Sequence, residues 1–160
     1  VGWQGGYNME SFLHLDDVRI VAVCDVDDNH LKNAKNKIDE FYGNRDCGTY
    51  TDFRHVLARN DIDAVSLGLP DHWHSIPAIM AAQSGKDIFG EKPLAHTVRE
   101  GRAMVNAVKR YKRIWQTGSW QRSQAHFRHA CELVINGRIG KVHRVEVGLP
   151  GPRLRRRPNS

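Results

Sequence analysis

Apolar positions follow two rhythms along this chain: every third or fourth residue in some stretches, short unbroken runs in others. Tyr7 to Leu15 predicts a helix with Met9, Phe12 and Leu13 on one face, and the β-branched run Val18–Cys24 predicts a strand that ends at Asp25. Residues 28–41 form a polar amphipathic pattern starting near Asp28 or Asn29, so a second helix is expected there. Gly43 to Thr51 gives at most a short strand around Cys47–Tyr50. Asp52–Ala58 predicts a short helix with Phe53, Val56 and Leu57 inward, and Asp63–Pro70 a buried strand stopped by proline. After Asp71-His72-Trp73-His74 comes a helix to Ser84, with Ile76, Ile79 and Met80 buried and Gly85 closing it. Ile88-Phe89 is a short buried strand that halts at Glu91-Lys92-Pro93. Thr97–Arg110 is a helix with Met104, Val105 and Val108 inside, and Ile114–Thr117 is a strand running into Gly118–Arg122. Ala125–Asn136 is helical up to Gly137, and Lys141–Val147 alternates like a strand. Gly148 to Ser160 has no period and is expected to be disordered. Strands alternating with helices over short connections predict a parallel sheet with right-handed crossovers.

Composition narrows this picture little. At 160 residues and 40% hydrophobic the chain can bury one core. No apolar run approaches the roughly 18 residues of a bilayer-spanning helix, so the chain is expected to be soluble and to have no membrane partner. The net charge of +6 is concentrated in the Pro-flanked tail, where Arg153, Arg155, Arg156 and Arg157 leave residues 1–152 at only +2. That tail lacks interleaved aromatics, so nucleic acid is not expected as a partner. Cys24, Cys47 and Cys131 are odd in number and far apart, which fits neither a disulfide framework nor a zinc site, and Cys24 reads as a buried thiol. His72 with His74, and His126 with His129, lack a third ligand at convincing spacing, so no metal is assigned. Because the chain opens on Val1, its natural start is expected upstream, and compartment is left unassigned with cytoplasm as the default.

The chemistry lies at the strand ends. A glycine-rich turn (Val1-Gly2-Trp3-Gln4-Gly5-Gly6), a helix, a strand and an acid make the second half of a dinucleotide-binding βαβ unit. Gly2 and Gly5 take the second and third places of G-x-G-x-x-G, and Asp25 lies 20 residues past Gly5, where the ribose-binding acid is expected. Gly2 would admit the pyrophosphate, Gly5 would let the helix approach the sheet, and the helix start would offer N–H groups to phosphate. Asp25 followed by Val26 favours NAD over NADP, since a carboxylate repels a 2′-phosphate; a plain turn-forming Asp is the alternative. Leu69-Pro70-Asp71-His72-Trp73-His74 and Glu91-Lys92-Pro93 converge on the same carboxyl edge, where ligands bind in open α/β sheets. For His74 the alternative is structural, a bond to a strand-end carbonyl. Trp73, Trp115 and Trp120 read as packing or pocket walls.

Gly-Lys-Asp-Ile followed by Glu-Lys-Pro, with Pro-x-x-x-His about 20 residues upstream, resembles the Gfo/Idh/MocA family of NAD(P)-dependent sugar and polyol oxidoreductases. Pro-Asp-His-Trp-His and Gly-Ser-x-Gln-Arg-Ser strengthen the likeness, which covers residues 2 to about 149. The resemblance implies a Rossmann-type doubly wound parallel sheet, truncated, plus the start of a second α+β domain. Residues 1–119 would be the dinucleotide-binding domain without its first strand, 120–149 the beginning of the substrate domain, and 150–160 a basic tail. It implies cofactor contacts from Gly2, Trp3, Gln4, Gly5, Asp25, Leu69, Pro70, Asp71, His74, Glu91, Lys92 and Pro93. Lys92 would meet the substrate hydroxyl and share catalysis with His74, and Arg122 would reach the substrate from the domain junction. The family's Lys-Pro bond is often cis. Members are about twice this length, carry an Asp-x-x-x-His pair in a part that this chain lacks, and pair as homo-oligomers through that part. The chain alone is therefore expected to bind NAD weakly and turn over a sugar or polyol poorly. A glycosidase of the same superfamily that uses NAD transiently, or a non-catalytic nucleotide-binding module, is the alternative function.

Overall fold

The computed structural model describes residues 1–148, and the basic tail of residues 150–160 lies outside them. The chain divides into two compact units, Val1–Ser119 and a second beginning at Trp120.

In the first unit, helices alternate with strands: α1 (Trp3–Leu13), β1 (Ala22–Cys24), α2 (Asp28–Tyr42), β2 (Gly48–Tyr50), α3 (Phe53–Leu57), β3 (Ala64–Leu67), α4 (Ser75–Gln83), β4 (Asp87–Glu91), α5 (Val98–Arg110) and β5 (Trp115–Gly118). Every strand pair is parallel, β1 with β2 and β3-β4-β5 in that order. Two ladders stand where the sequence predicts one sheet, because no described strand pairs with both β1 and β3.

Helix starts follow side-chain chemistry. The Asp27 carboxylate accepts from the N–H groups of Asn29 and His30, so α2 is capped one residue before Asp28. Thr97 and Glu100 form a reciprocal capping box at α5. Gly43, at φ 65°, closes α2 in a conformation that other residues resist.

Several elements depart from the periodic reading. α1 begins at Trp3 rather than Tyr7 and takes in Gly5 and Gly6; glycines carry no side chain, so no apolar period marked that turn. β1 shrinks to three residues, since its partner is as short and the Ile20 N–H bonds to the Tyr42 hydroxyl instead. Ile76 and Val105 are exposed at 51% and 40%, because α4 faces the sheet and α5 through small residues. Ala78, Ala81 and Ala82 fill that face, and their size lets the elements approach closely.

Two cores follow. Met9, Leu13, Val23, Leu31, Ala34, Ile38 and Cys47 join α1 and α2 to the first ladder. Leu57, Ala81, Ala82, Ile88 and Ala107 join α3, α4 and α5 to the second. Phe12 of α1 meets Phe89 of β4 edge-on at 5.4 Å. Away from the strands' carboxyl ends, Arg59 reaches the Val21 carbonyl at 3.1 Å, while the buried Lys86 ammonium donates to the Arg59 carbonyl at 2.6 Å.

The second unit has a 3-10 turn at Trp120–Ser123 and then α6 (Ala125–Ile135). Gly137, at φ 69°, follows the helix. Lys141–Val147 forms no strand: an alternating segment needs a neighbour to pair with, none lies among the described residues, and the whole stretch is exposed.

Candidate functional site

The carboxyl ends of β1, β3 and β4 are drawn together by the first two turns of α1. Gly2 is extended (φ −73°, ψ 161°) and contributes no side-chain cap to the helix. The N–H groups of Trp3, Gln4 and Gly5 are thus the unpartnered donors of a helix start with no acidic residue in its first turn. Such a terminus attracts phosphate. Trp3 is 94% exposed at φ 39°, a strained setting for a bulky side chain.

Asp25 follows β1 directly. Its Oδ2 accepts from the Gly2 N–H at 2.9 Å, and its Oδ1 from the Asp27 N–H at 3.0 Å. Burial pushes the carboxyl up, while the backbone N–H groups of Asp27 and Gly2 favour its ionised form. Asp25→Asn leaves one acceptor oxygen for two N–H donors and is expected to cost about 1 kcal/mol. Denaturant unfolding of both proteins measures it.

Beyond β3, Gly68 lies against Gly5: a Cβ on Gly68 would sit 2.8 Å from the Gly5 nitrogen and Cα. This contact presses the α1 start onto the rim of the second ladder. His30 covers the other side, its ring 2.7 Å from where a Cβ of Gly2 would stand and its Nδ1 3.3 Å from Asp25 Oδ2.

The third strand end holds the charged pair. Glu91 is 3% exposed; its Oε1 accepts from Asn8 Nδ2 at 3.1 Å and its Oε2 from the Lys92 N–H at 3.3 Å. Gly118 is its register partner on β5, and a Cβ there would meet Oε1 at 2.5 Å, so the carboxylate lies flat across the neighbouring strand. Lys92 and Pro93 are exposed, and the bond between them is cis, as the resemblance implies.

His74 is 2% exposed, with Nδ1 on the Pro93 carbonyl at 2.5 Å and Nε2 on the Leu69 carbonyl at 2.7 Å. Each ring nitrogen lies beside a backbone carbonyl, and the N–H of a neutral imidazole donates to one of the two, linking the exit of β3 with the turn after β4. The Leu69 contact is the strand-end bond of the structural alternative. Pro70 and Asp71 are exposed; Pro70 precedes the 3-10 turn Asp71–Trp73, and its carbonyl accepts from the Trp73 N–H at 2.8 Å. Of the tryptophans, Trp115 packs over Gly90, whereas Trp73 and Trp120 are about half exposed. Arg122 is exposed in the second unit, in the turn Trp120–Ser123.

Gly2, Gln4, Gly5, Asp25, Glu91 and Lys92 are thus joined by direct bonds or by one intervening residue. Sequence reasoning missed Asn8, His30 and Gly68. Asn8 had a signal, as a polar residue beside Met9 and Phe12 on the inward side of α1; Gly68 interrupts an apolar strand, which can mark close backbone approach.

The residues fit a dinucleotide on three counts. The uncapped helix start suits pyrophosphate, the ionised carboxylate after β1 suits ribose hydroxyls, and the Gly5–Gly68 contact keeps side chains out from between them.

Comparison with known proteins agrees. The family described as "Oxidoreductase family, NAD-binding Rossmann fold" matches residues 1–119. Glycosyl hydrolase family 109 protein 1 of Shewanella sp. (strain MR-4) is 34% identical over 117 residues, covering 69% of this chain and 25% of that protein. Myo-inositol 2-dehydrogenase from Lactobacillus plantarum superposes with a TM-score of 0.76 at 31% identity, over 88% of this chain and 40% of that one. Scyllo-inositol dehydrogenase from Lactobacillus casei, solved with NAD(H) and scyllo-inositol, shares the fold with a TM-score of 0.74 at 23% identity, over 88% of this chain and 40% of that one. The chain spans about a quarter of the length of the curated relative.

Proposed function

The chain belongs to the Gfo/Idh/MocA oxidoreductase family, with its NAD-binding Rossmann fold, and from that premise we propose that it serves an NAD-dependent transfer of hydride between a sugar or polyol hydroxyl and nicotinamide. The observation that carries this reading is the bonded path from the α1 start to the exposed Lys92: Gln4 to Asn8, Asn8 to Glu91, Glu91 to the Lys92 N–H. It ties the backbone of Lys92, an exposed residue, to the helix start through buried side chains, which supports reading the two as parts of one site.

Bound NAD supplies the hydride acceptor or donor. The Trp3, Gln4 and Gly5 N–H groups would hold its pyrophosphate, and Asp25 its ribose hydroxyls. Leu69, Pro70, Asp71, Glu91 and Pro93 would frame the nicotinamide end. The Lys92 Nζ would meet the substrate hydroxyl, accepting its proton as a neutral amine while the C–H hydride leaves for the nicotinamide, and returning that proton in the reverse direction. His74 does not touch the reacting atoms; it positions the turns on either side.

The relative named as a glycosyl hydrolase favours a second reading, in which NAD is reduced and reoxidised within one turnover and the net result is sugar release. The reactions are separated by following absorbance and product together. NADH accumulating in step with oxidised sugar or polyol supports the dehydrogenase. Sugar released from a glycoside at constant NADH overturns it in favour of the glycosidase.

A further inference from the structure

The strongest unassigned feature is the polar chain that crosses from α1 to the end of β4. Asn8 is 9% exposed and Glu91 3%, and they are 83 residues apart in sequence. The Asn8 amide NH2 donates to Glu91 Oε1, which leaves the Asn8 oxygen for another donor. Gln4 Nε2 supplies that donor at 3.0 Å. The other carboxylate oxygen takes the Lys92 backbone N–H, and the absence of a side chain at Gly118 makes room for the carboxylate in this pose.

We propose that Asn8 is a positioning residue for the Lys92 turn, acting through the Glu91 carboxylate and anchored by Gln4 to the start of α1. A shift of the helix start, as on binding an anion, is then passed to the lysine by three hydrogen bonds, two running from Gln4 through Asn8 to the Glu91 carboxylate and the third entering that carboxylate from the Lys92 N–H. The link to catalysis rests on reading Lys92 as the residue that meets substrate; the chain of bonds itself does not.

The test is amide NMR of the whole chain, first without cofactor. In Asn8→Asp two carboxylates face each other and the donor to Glu91 is gone. The Lys92 amide resonance is expected to move further than any other amide outside residues 4–12. In Asn8→Asp with Glu91→Gln, amide and carboxylate exchange places and the resonance is expected to return at least halfway. A merely structural Asn8 would lower stability without this movement and reversal. Should Asn8→Asp not fold, Gln4→Leu breaks the chain at its half-buried end and is expected to move the Lys92 amide in its place. A folded variant with an unmoved Lys92 amide, or a swap that restores nothing, overturns the proposal.

NADH is then added. The Lys92 shift that it induces in the native protein is expected to fall at least threefold in Asn8→Asp, or in Gln4→Leu where that variant stands in; an undiminished shift overturns the coupling. If NADH does not bind the native protein, the functional reading fails by itself, and the cofactor-free spectra still decide the role of Asn8.

Discussion

Replacing Lys92 by alanine is expected to lower turnover of a sugar or polyol by about 10²–10⁴-fold, the range for losing a positioned proton-transfer group, while NADH affinity stays within about twofold, since no helix-start donor is touched. The structure separates the two effects. Lys92 is exposed, and its backbone N–H, which alanine retains, is what bonds to Glu91. The buried end of β4 therefore survives the substitution, and only the ammonium is lost. Steady-state kinetics and NADH titration of both proteins measure the two quantities. If turnover is unchanged, Lys92 has no part in the chemistry and a nucleotide-binding module without catalysis becomes the better account. If affinity collapses with turnover, Lys92 belongs to the cofactor site instead.

Gly68→Ala carries the second large effect. The added methyl group would stand 2.8 Å from the nitrogen and Cα of Gly5, and both neighbours are backbone, so neither can swing aside. Crowding a packed contact costs about 1–3 kcal/mol. Relief requires the α1 start to withdraw from the rim, which takes its free N–H groups with it. A loss of stability in this range and at least a tenfold weaker NADH affinity, or about 1.4 kcal/mol, are expected together. Gly101→Ala is the control. Gly101 lies within α5 with only Ala95 nearby, its Cβ 3.9 Å away, so alanine there is expected to stabilise by about 0.5–1 kcal/mol. Chemical denaturation of the three proteins measures the difference, and equal stability of Gly68→Ala and the native chain would show that the close contact can relax.

Local rules reached far into this fold and stopped where distance in sequence took over. Caps, prolines and apolar runs locate most of the elements within a few residues, because helix starts and strand stops are set by adjacent side chains. Asp25 and Glu91-Lys92-Pro93 are legible for the same reason: each ends an apolar run with a charge. The direction in which a side chain turns is not. His74 lies in the predicted segment, yet its ring points inward to two carbonyls, a choice made by Pro93, 19 residues away. Asn8 finds its partner 83 residues on, and no spacing rule covers such a pair. Lys141–Val147 fails differently, since alternation shows what a strand would bury but not whether a neighbour exists to pair with it.

The central claim is that one strand rim binds NAD through the α1 start and Asp25, next to Lys92. It is tested most directly by titrating the native chain and Asp25→Ala with NADH and NADPH, following transfer of tryptophan fluorescence. Saturable NADH binding is expected, at least tenfold tighter than NADPH and weakened at least tenfold in Asp25→Ala. Equal affinity for the two nucleotides, or NADH binding untouched by the loss of Asp25, contradicts it.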